Sequence, residues 1–179
     1  MEPDRKIVFT AMYHQQYPAV LAYMKRRSKP ANSEDLAAEV FARAWRNFDS
    51  LSNADAPLPW LYGISRNVVR EHYRATKKAP TLVDYTELDA ASSTAAPEEF
   101  NAVDMSLDIT RALYSLSTSD KEILMLGAWE NLSITEIAQV LEITPNNARV
   151  RLHRARTNLS AALDALTLHV SELSPGEKN

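Results

Sequence analysis

The chain has no cysteine among its 179 residues, which excludes a disulfide framework and a thiolate metal site. Glycine occurs only three times, at Gly63, Gly127 and Gly176, so few positions adopt the positive φ of tight hairpin turns at low cost. That scarcity favours helices over a turn-rich β fold. No stretch approaches the roughly 20 consecutive apolar residues that span a bilayer. The N-terminal residues mix acids with bases and carry no apolar run of signal-peptide length, so the cytoplasm is the expected compartment. Phosphate-binding glycine loops and nucleophile elbows are missing as well. The four histidines, His14, His72, His153 and His169, share no metal-binding spacing. His72 falls on an apolar helix face and reads as a satisfied core histidine. The expectation is a protein without enzymatic activity, metal or cofactor.

What remains is ordinary globular material, 45% hydrophobic and 24% charged, enough for a real core. The net charge of −3 conceals a segregation. Trp60–Lys78 holds five basic residues (Arg66, Arg70, Arg74, Lys77, Lys78) against the single acid Glu71, a net +4. Residues 79–108 hold seven acids and no lysine or arginine, a net −7. Residues 145–158 hold four arginines and no acid. Two basic segments flank an acidic one, and local charge decides where a polyanion docks.

Residues 79–104 lack a periodic apolar pattern and contain Ala-Pro-Thr and Ala-Ala-Ser-Ser-Thr-Ala-Ala-Pro, which reads as a flexible acidic linker. The expected architecture is all-α: two small helical domains, 1–78 and 105–168, with a polar tail at 169–179. In the first, Phe9, Met12, Tyr13, Tyr17, Val20, Leu21 and Met24 recur at helical spacing, with Pro18 expected to kink or restart the helix. Asn32 and Ser33 are expected to cap a second helix, whose core stripe is Leu36, Ala37, Val40, Phe41, Ala44, Trp45 and Phe48. Pro59 suits the first turn of a third. That helix sets Leu61, Ile64, Val68 and His72 on one face and Arg66, Arg70, Tyr73, Arg74 and Lys77 on the other.

The second domain carries the sharpest pattern. Ser133-Ile134-Thr135-Glu136 is a capping box, and Ile134, Ile137, Ala138 and Leu141 form the buried stripe of a short helix. A tight Glu142-Ile143-Thr144 turn follows. Thr144 caps a new helix with Pro145 at its first position, and its buried stripe is Ala148, Leu152, Ala155 and Leu159. Two helices so joined, the second rich in arginine, make a helix-turn-helix. Asn146, Asn147, Arg149 and Val150 then lie where base edges are read. Arg151, His153, Arg154 and Arg156 lie further along, toward phosphates or a neighbouring base. Arginine pairs bidentately with guanine and asparagine with adenine, each worth about 1–3 kcal/mol of discrimination. The basic face of helix 60–77 is a weaker signal, strengthened by Trp60 and Tyr73, since aromatics stack on unpaired bases. Asp35 and Glu39, one turn apart, read as a charged surface or a partner-docking site.

These segments resemble the extracytoplasmic-function (group 4) sigma factors of bacterial RNA polymerase. Residues 33–45, Ser-Glu-Asp-Leu-Ala-Ala-Glu-Val-Phe-Ala-Arg-Ala-Trp, are similar to the family's polymerase-binding helix. Residues 60–68, Trp-Leu-Tyr-Gly-Ile-Ser-Arg-Asn-Val, resemble its −10 helix. Residues 132–138 with 151–156 resemble its −35 helix-turn-helix. The three occur in the family's order. The resemblance implies promoter-directed initiation, with Asp35, Glu39 and Arg43 facing the clamp helices of the polymerase largest subunit and the −35 domain near the flap. It implies that loop 49–57, with Asn53 and Asp55, captures a flipped −10 base, and that Trp60, Arg66, Asn67, Arg70, Tyr73 and Arg74 hold the −10 region. It also implies a linker threaded through polymerase and a cognate anti-sigma factor as partner. Two departures stand out: Ala38 where the family often has Gln, and Glu142 where its turn favours Gly. A stand-alone helix-turn-helix regulator, with residues 1–78 as a sensing or dimerising domain, is the alternative.

Overall fold

The computed structural model describes residues 2–51, 56–76 and 107–172, and side chains within 5–50, 56–76 and 108–166. Among these residues the fold is all-α, with no strand. Helices α1 (Glu2–Arg27), α2 (Pro30–Arg46), α3 (Phe48–Leu51) and α4 (Pro57–Thr76) form one group, and α5 (Leu107–Ser115), α6 (Thr118–Ala128), α7 (Ile134–Leu141) and α8 (Pro145–Glu172) the other. The acidic linker and the tail residues 173–179 lie outside the described residues.

In the first group α1, α2 and α4 pack mutually around Met12, Val20, Met24, Ala37, Val40, Phe41, Ala44, Leu61 and Val68. Pro18 does not restart the helix. It is exposed within a single α1, and buried anchors on either side, Met12 before and Val20, Tyr23 and Met24 after, offset the roughly 3 kcal/mol a mid-helix proline costs. Asn32 and Ser33 are not caps either. The helix opens earlier, with Lys29 at the N-cap and Pro30 in the first turn. The Ser33 hydroxyl turns inward, within 3.2 Å of the Lys29 carbonyl and 3.3 Å of Ser28 Oγ. A first-turn proline tolerates the missing N–H, and that outweighs the polar cap.

Trp45, expected in the core, is 39% exposed. It closes an aromatic cluster at the rim, with its ring centroid 5.0 Å from Phe9, which in turn lies 5.8 Å from Phe48. Arg5 covers both α2/α3 rings at 5.0 and 5.4 Å and donates to the Trp45 carbonyl at 3.0 Å. This cluster fixes α3, the start of the loop assigned to base capture. Asn53 and Asp55 lie outside the described residues.

In the second group α8 packs on α5, α6 and α7. Ala148, Leu152 and Ala155 are buried as expected, as are Ile137, Ala138 and Leu141 of α7. Val140, off the α7 stripe, is buried too. A helix buried on a second side needs a second neighbour, and here that neighbour is α4. The apolar cluster therefore runs from the first group into the second without a break.

Candidate nucleic-acid interface

The α7–α8 unit is built from three local devices. At its start the Glu136 amide donates to Ser133 Oγ (3.3 Å), while Glu136 Oε2 accepts from the Ser133 amide and hydroxyl at 2.8 and 2.7 Å. These hydrogen bonds, the Ser133 hydroxyl first, hold the Glu136 carboxyl below its ordinary value. At the turn Glu142 takes the left-handed conformation (φ 56°, ψ 43°). That directs the Ile143 amide onto the Ala138 carbonyl at 3.0 Å. Thr144 Oγ1 then accepts from the Asn147 amide at 3.2 Å, launching α8 with Pro145 in its first turn.

The outcome is a helix whose first turns stand clear of the body. Asn146, Asn147 and Arg149 are exposed, and Val150 is 60% exposed. His153, Arg154 and Arg156 are exposed further along. Arg151 behaves differently. It is half-buried and donates to Ser119 Oγ at 3.3 Å, tying α8 to α6. Nearby, Asn158 donates to Asp120 at 2.8 Å, and Arg154 lies 3.8 Å from the same carboxylate. Seven of the eight sequence-chosen α8 residues thus share an exposed surface, and one braces the helix.

On α4, Asn67 and Arg70 are exposed, while Trp60 and Arg74 are half-buried. Tyr73 donates to the Arg27 carbonyl at 2.9 Å, and burial pushes its phenol up. Arg66 donates to Glu122 of α6 at 2.9 Å. His72 is half-buried, 3.3 Å from Asn32 Nδ2, in keeping with a hydrogen-bonded core histidine. On α2, Asp35 is exposed and Glu39 half-exposed. Arg43 donates to Glu39 at 2.7 Å and forks onto Glu71 of α4 at 2.9 and 2.7 Å. These bonds raise the Arg43 pKa, and the Arg43 hydrogen bonds lower that of Glu71. Asp35, Glu39 and Arg43 share one side of α2, with Arg43 also joining α2 to α4.

One constellation was not foreseen. Glu130, 8% exposed, accepts from both Arg26 and Arg27 at the end of α1, the latter at 2.7 Å. Burial pushes the nearby Tyr62 phenol up to about 12, and the Glu130 carboxylate adds to the rise. Tyr23 stacks on Tyr62 with centroids 5.0 Å apart, and Arg27 lies 3.6 Å from the Tyr23 ring centroid. Burial pushes the Tyr23 phenol up to about 12. Glu130 sits in a short polar connection after α6, where an acid reads as solvated, and its partners lie about a hundred residues away. The one local hint was the apolar Val140 off the α7 stripe. Among the described residues no His, Asp or Glu group has metal-binding form, and no helix is long and apolar enough to cross a membrane.

Residues 12–79 match the family description of sigma-70 region 2, and residues 106–159 that of sigma-70 region 4. The chain is 30% identical over 141 residues to the RNA polymerase sigma factor CnrH of Cupriavidus metallidurans, covering 74% of this chain and 73% of that protein. It is 31% identical over 133 residues to the probable RNA polymerase sigma factor RfaY of Xanthomonas campestris pv. campestris. That match covers 72% of this chain but 33% of the relative, so the chain spans about a third of its length. The fold is similar to that of the Bartonella quintana sigma factor RpoE, solved with the anti-sigma factor NepR, at a TM-score of 0.63 and 22% identity over 87% of this chain and 96% of that one.

Proposed function

The chain belongs to the extracytoplasmic-function sigma factors of the sigma-70 family, which direct transcription initiation, and from that premise we propose how its surfaces divide the work. The α2 side with Asp35, Glu39 and Arg43 docks on the clamp helices of core RNA polymerase. The α4 side with Trp60, Arg66, Asn67, Arg70, Tyr73 and Arg74, together with Asn53 and Asp55 of the preceding loop, holds the opened −10 strand. The first turns of α8 enter the major groove of the −35 element, Asn146, Asn147, Arg149 and Val150 meeting base edges. His153, Arg154 and Arg156 meet phosphates or a neighbouring base, and Arg151 sets the helix angle from behind as well as lying within reach of the backbone. A cognate anti-sigma factor is the expected negative partner, as the similar RpoE of Bartonella quintana was solved with the anti-sigma factor NepR.

The observation that carries this reading is the exposure of Asn146, Asn147, Arg149 and Val150 on a capped helix-turn-helix, in one chain with a region 2 match. A few phosphate contacts per surface give weak, salt-sensitive association on their own, so tight promoter binding requires polymerase to hold both surfaces in place. The test is co-purification of the tagged chain with bacterial core RNA polymerase at two salt concentrations. Stoichiometric binding that competes with the housekeeping sigma factor is expected. No binding, with autonomous protection of a palindromic site by a dimer, would instead identify a stand-alone regulator.

A further inference from the structure

The first turn of α6 sets an acid beneath the helix proposed to read DNA. Residues 145–158 contain four arginines and no acid, and the carboxylate laid against them comes from outside, from Asp120. Its side chain is only 8% exposed, and its amide donates to the N-capping Ser117 Oγ at 3.1 Å. One carboxylate oxygen, Oδ2, accepts from Asn158 at 2.8 Å. The other, Oδ1, lies 3.8 Å from Nη2 of Arg154, whose side chain is 61% exposed. A carboxylate so withdrawn from water requires countercharge, and here it has the positive N-terminal end of α6 and Arg154. Asn147, Val150 and Arg154 recur at steps of three and four, the spacing of one helix stripe. Arg154 therefore leaves α8 on the side of two proposed reading residues. Arg151, on the flank, donates to Ser119 of the same α6 turn.

We infer that Asp120 is a positioning residue for the DNA contact of Arg154, holding the guanidinium so that it meets a base edge instead of ranging over phosphates. This role rests on the −35 reading of α8. A phosphate contact requires only charge and reach, and a carboxylate beside it would weaken it. A base edge requires a fixed plane, since the guanidinium pairs through a rigid fork of donors. Held at Nη2 by Asp120, the group keeps its remaining donors for a major-groove edge with two acceptors, that of guanine. Asn158 fixes the acid in turn, through the oxygen that Arg154 does not use. As a plain brace between α6 and α8 the site would need no charge, because an amide oxygen accepts the Asn158 bond as well. The preference at one base pair is thus set by a buried side chain behind the reading helix.

The test uses the full chain bound to core RNA polymerase to select promoters from random-sequence duplexes. Every base pair of the recovered upstream element is then substituted in turn. With the native chain one such substitution should cost about tenfold in affinity through Arg154, and Arg154→Ala should abolish that penalty. Asp120→Asn, which keeps an acceptor for Asn158 but loses the charge, should cut the penalty to about threefold. Its affinity for unselected duplex should stay level or rise. In the Arg154→Ala background Asp120→Asn should remove no further preference. Asn158→Ala, at an exposed position, should reduce the same penalty in smaller measure, and it replaces Asp120→Asn if that variant folds poorly by far-UV circular dichroism. A full tenfold penalty in Asp120→Asn overturns the positioning role. An equal loss on selected and unselected duplex also overturns it and leaves Asp120 a structural brace. If Arg154→Ala weakens all duplexes alike, Arg154 is a phosphate contact and the role of Asp120 falls with it. Recovery of no upstream element fails the −35 reading itself, whereas an element that depends on Arg149 but not on Asp120 fails this role alone.

Discussion

At the scale of single residues, two backbone positions with positive φ, Asn131 (53°) and Glu142 (56°), separate strain from tolerance. Asparagine visits the left-handed region readily, whereas a side chain such as glutamate pays about 1 kcal/mol there. Glu142→Gly should therefore stabilise the chain by roughly 0.5–1 kcal/mol in urea unfolding, and Asn131→Gly should change little. Equal effects would mean that the turn is not what strains Glu142. Ser133→Ala should cost about 1 kcal/mol at neutral pH. Because the Glu136 carboxyl is held below its ordinary value by Ser133, its contribution is complete above the unfolded value and is lost as pH falls through the folded one. The difference between native and Ser133→Ala chains should shrink below about pH 4, read from unfolding midpoints at pH 7 and pH 3. Both devices are legible in the sequence, since a capping box and a glycine-poor turn are contiguous patterns.

At the scale of elements, the proposed function makes α8 both a core helix and a reading head. Leu152, 5% exposed, anchors the core side, and Leu152→Ala should cost about 2–4 kcal/mol and abolish duplex binding by loosening the helix. Val150→Ala, two residues away on the open side, should leave the unfolding midpoint unchanged while altering sequence preference. On α2 the expected polymerase contacts divide in the same manner. Asp35→Ala should weaken polymerase binding with no loss of stability. Arg43→Ala should do both, costing about 0.5–1 kcal/mol because the Glu39 and Glu71 bonds are half-exposed. Helical periodicity distinguished core from surface on most of α2, α4, α7 and α8. It failed at Trp45 and at Asn32–Ser33, where the outcome depended on a rim of neighbouring aromatics and on a proline one turn earlier.

At the scale of the whole molecule, the tether sets what the two domains can reach. A free coil as long as residues 79–104 averages about 28 Å and extends to about 90 Å, short of the element separation unless held open. Deleting about 15 residues between 80 and 100 should abolish promoter-directed transcription while polymerase co-purification persists; normal transcription would refute a threaded tether. The amino-acid sequence by itself determined the helical class, the order of segments, the capped helix-turn-helix and the exposure of Asn146, Asn147, Arg149 and Val150, because each depends on neighbours within a few positions. Only the tertiary structure decided that Arg66 faces Glu122, that Arg151 braces α8, and that Glu130 is buried between Arg26 and Arg27. A charged side chain carries no local mark of whether it meets water or a partner some hundred residues away, and that choice is made by the packing of α4 against α7.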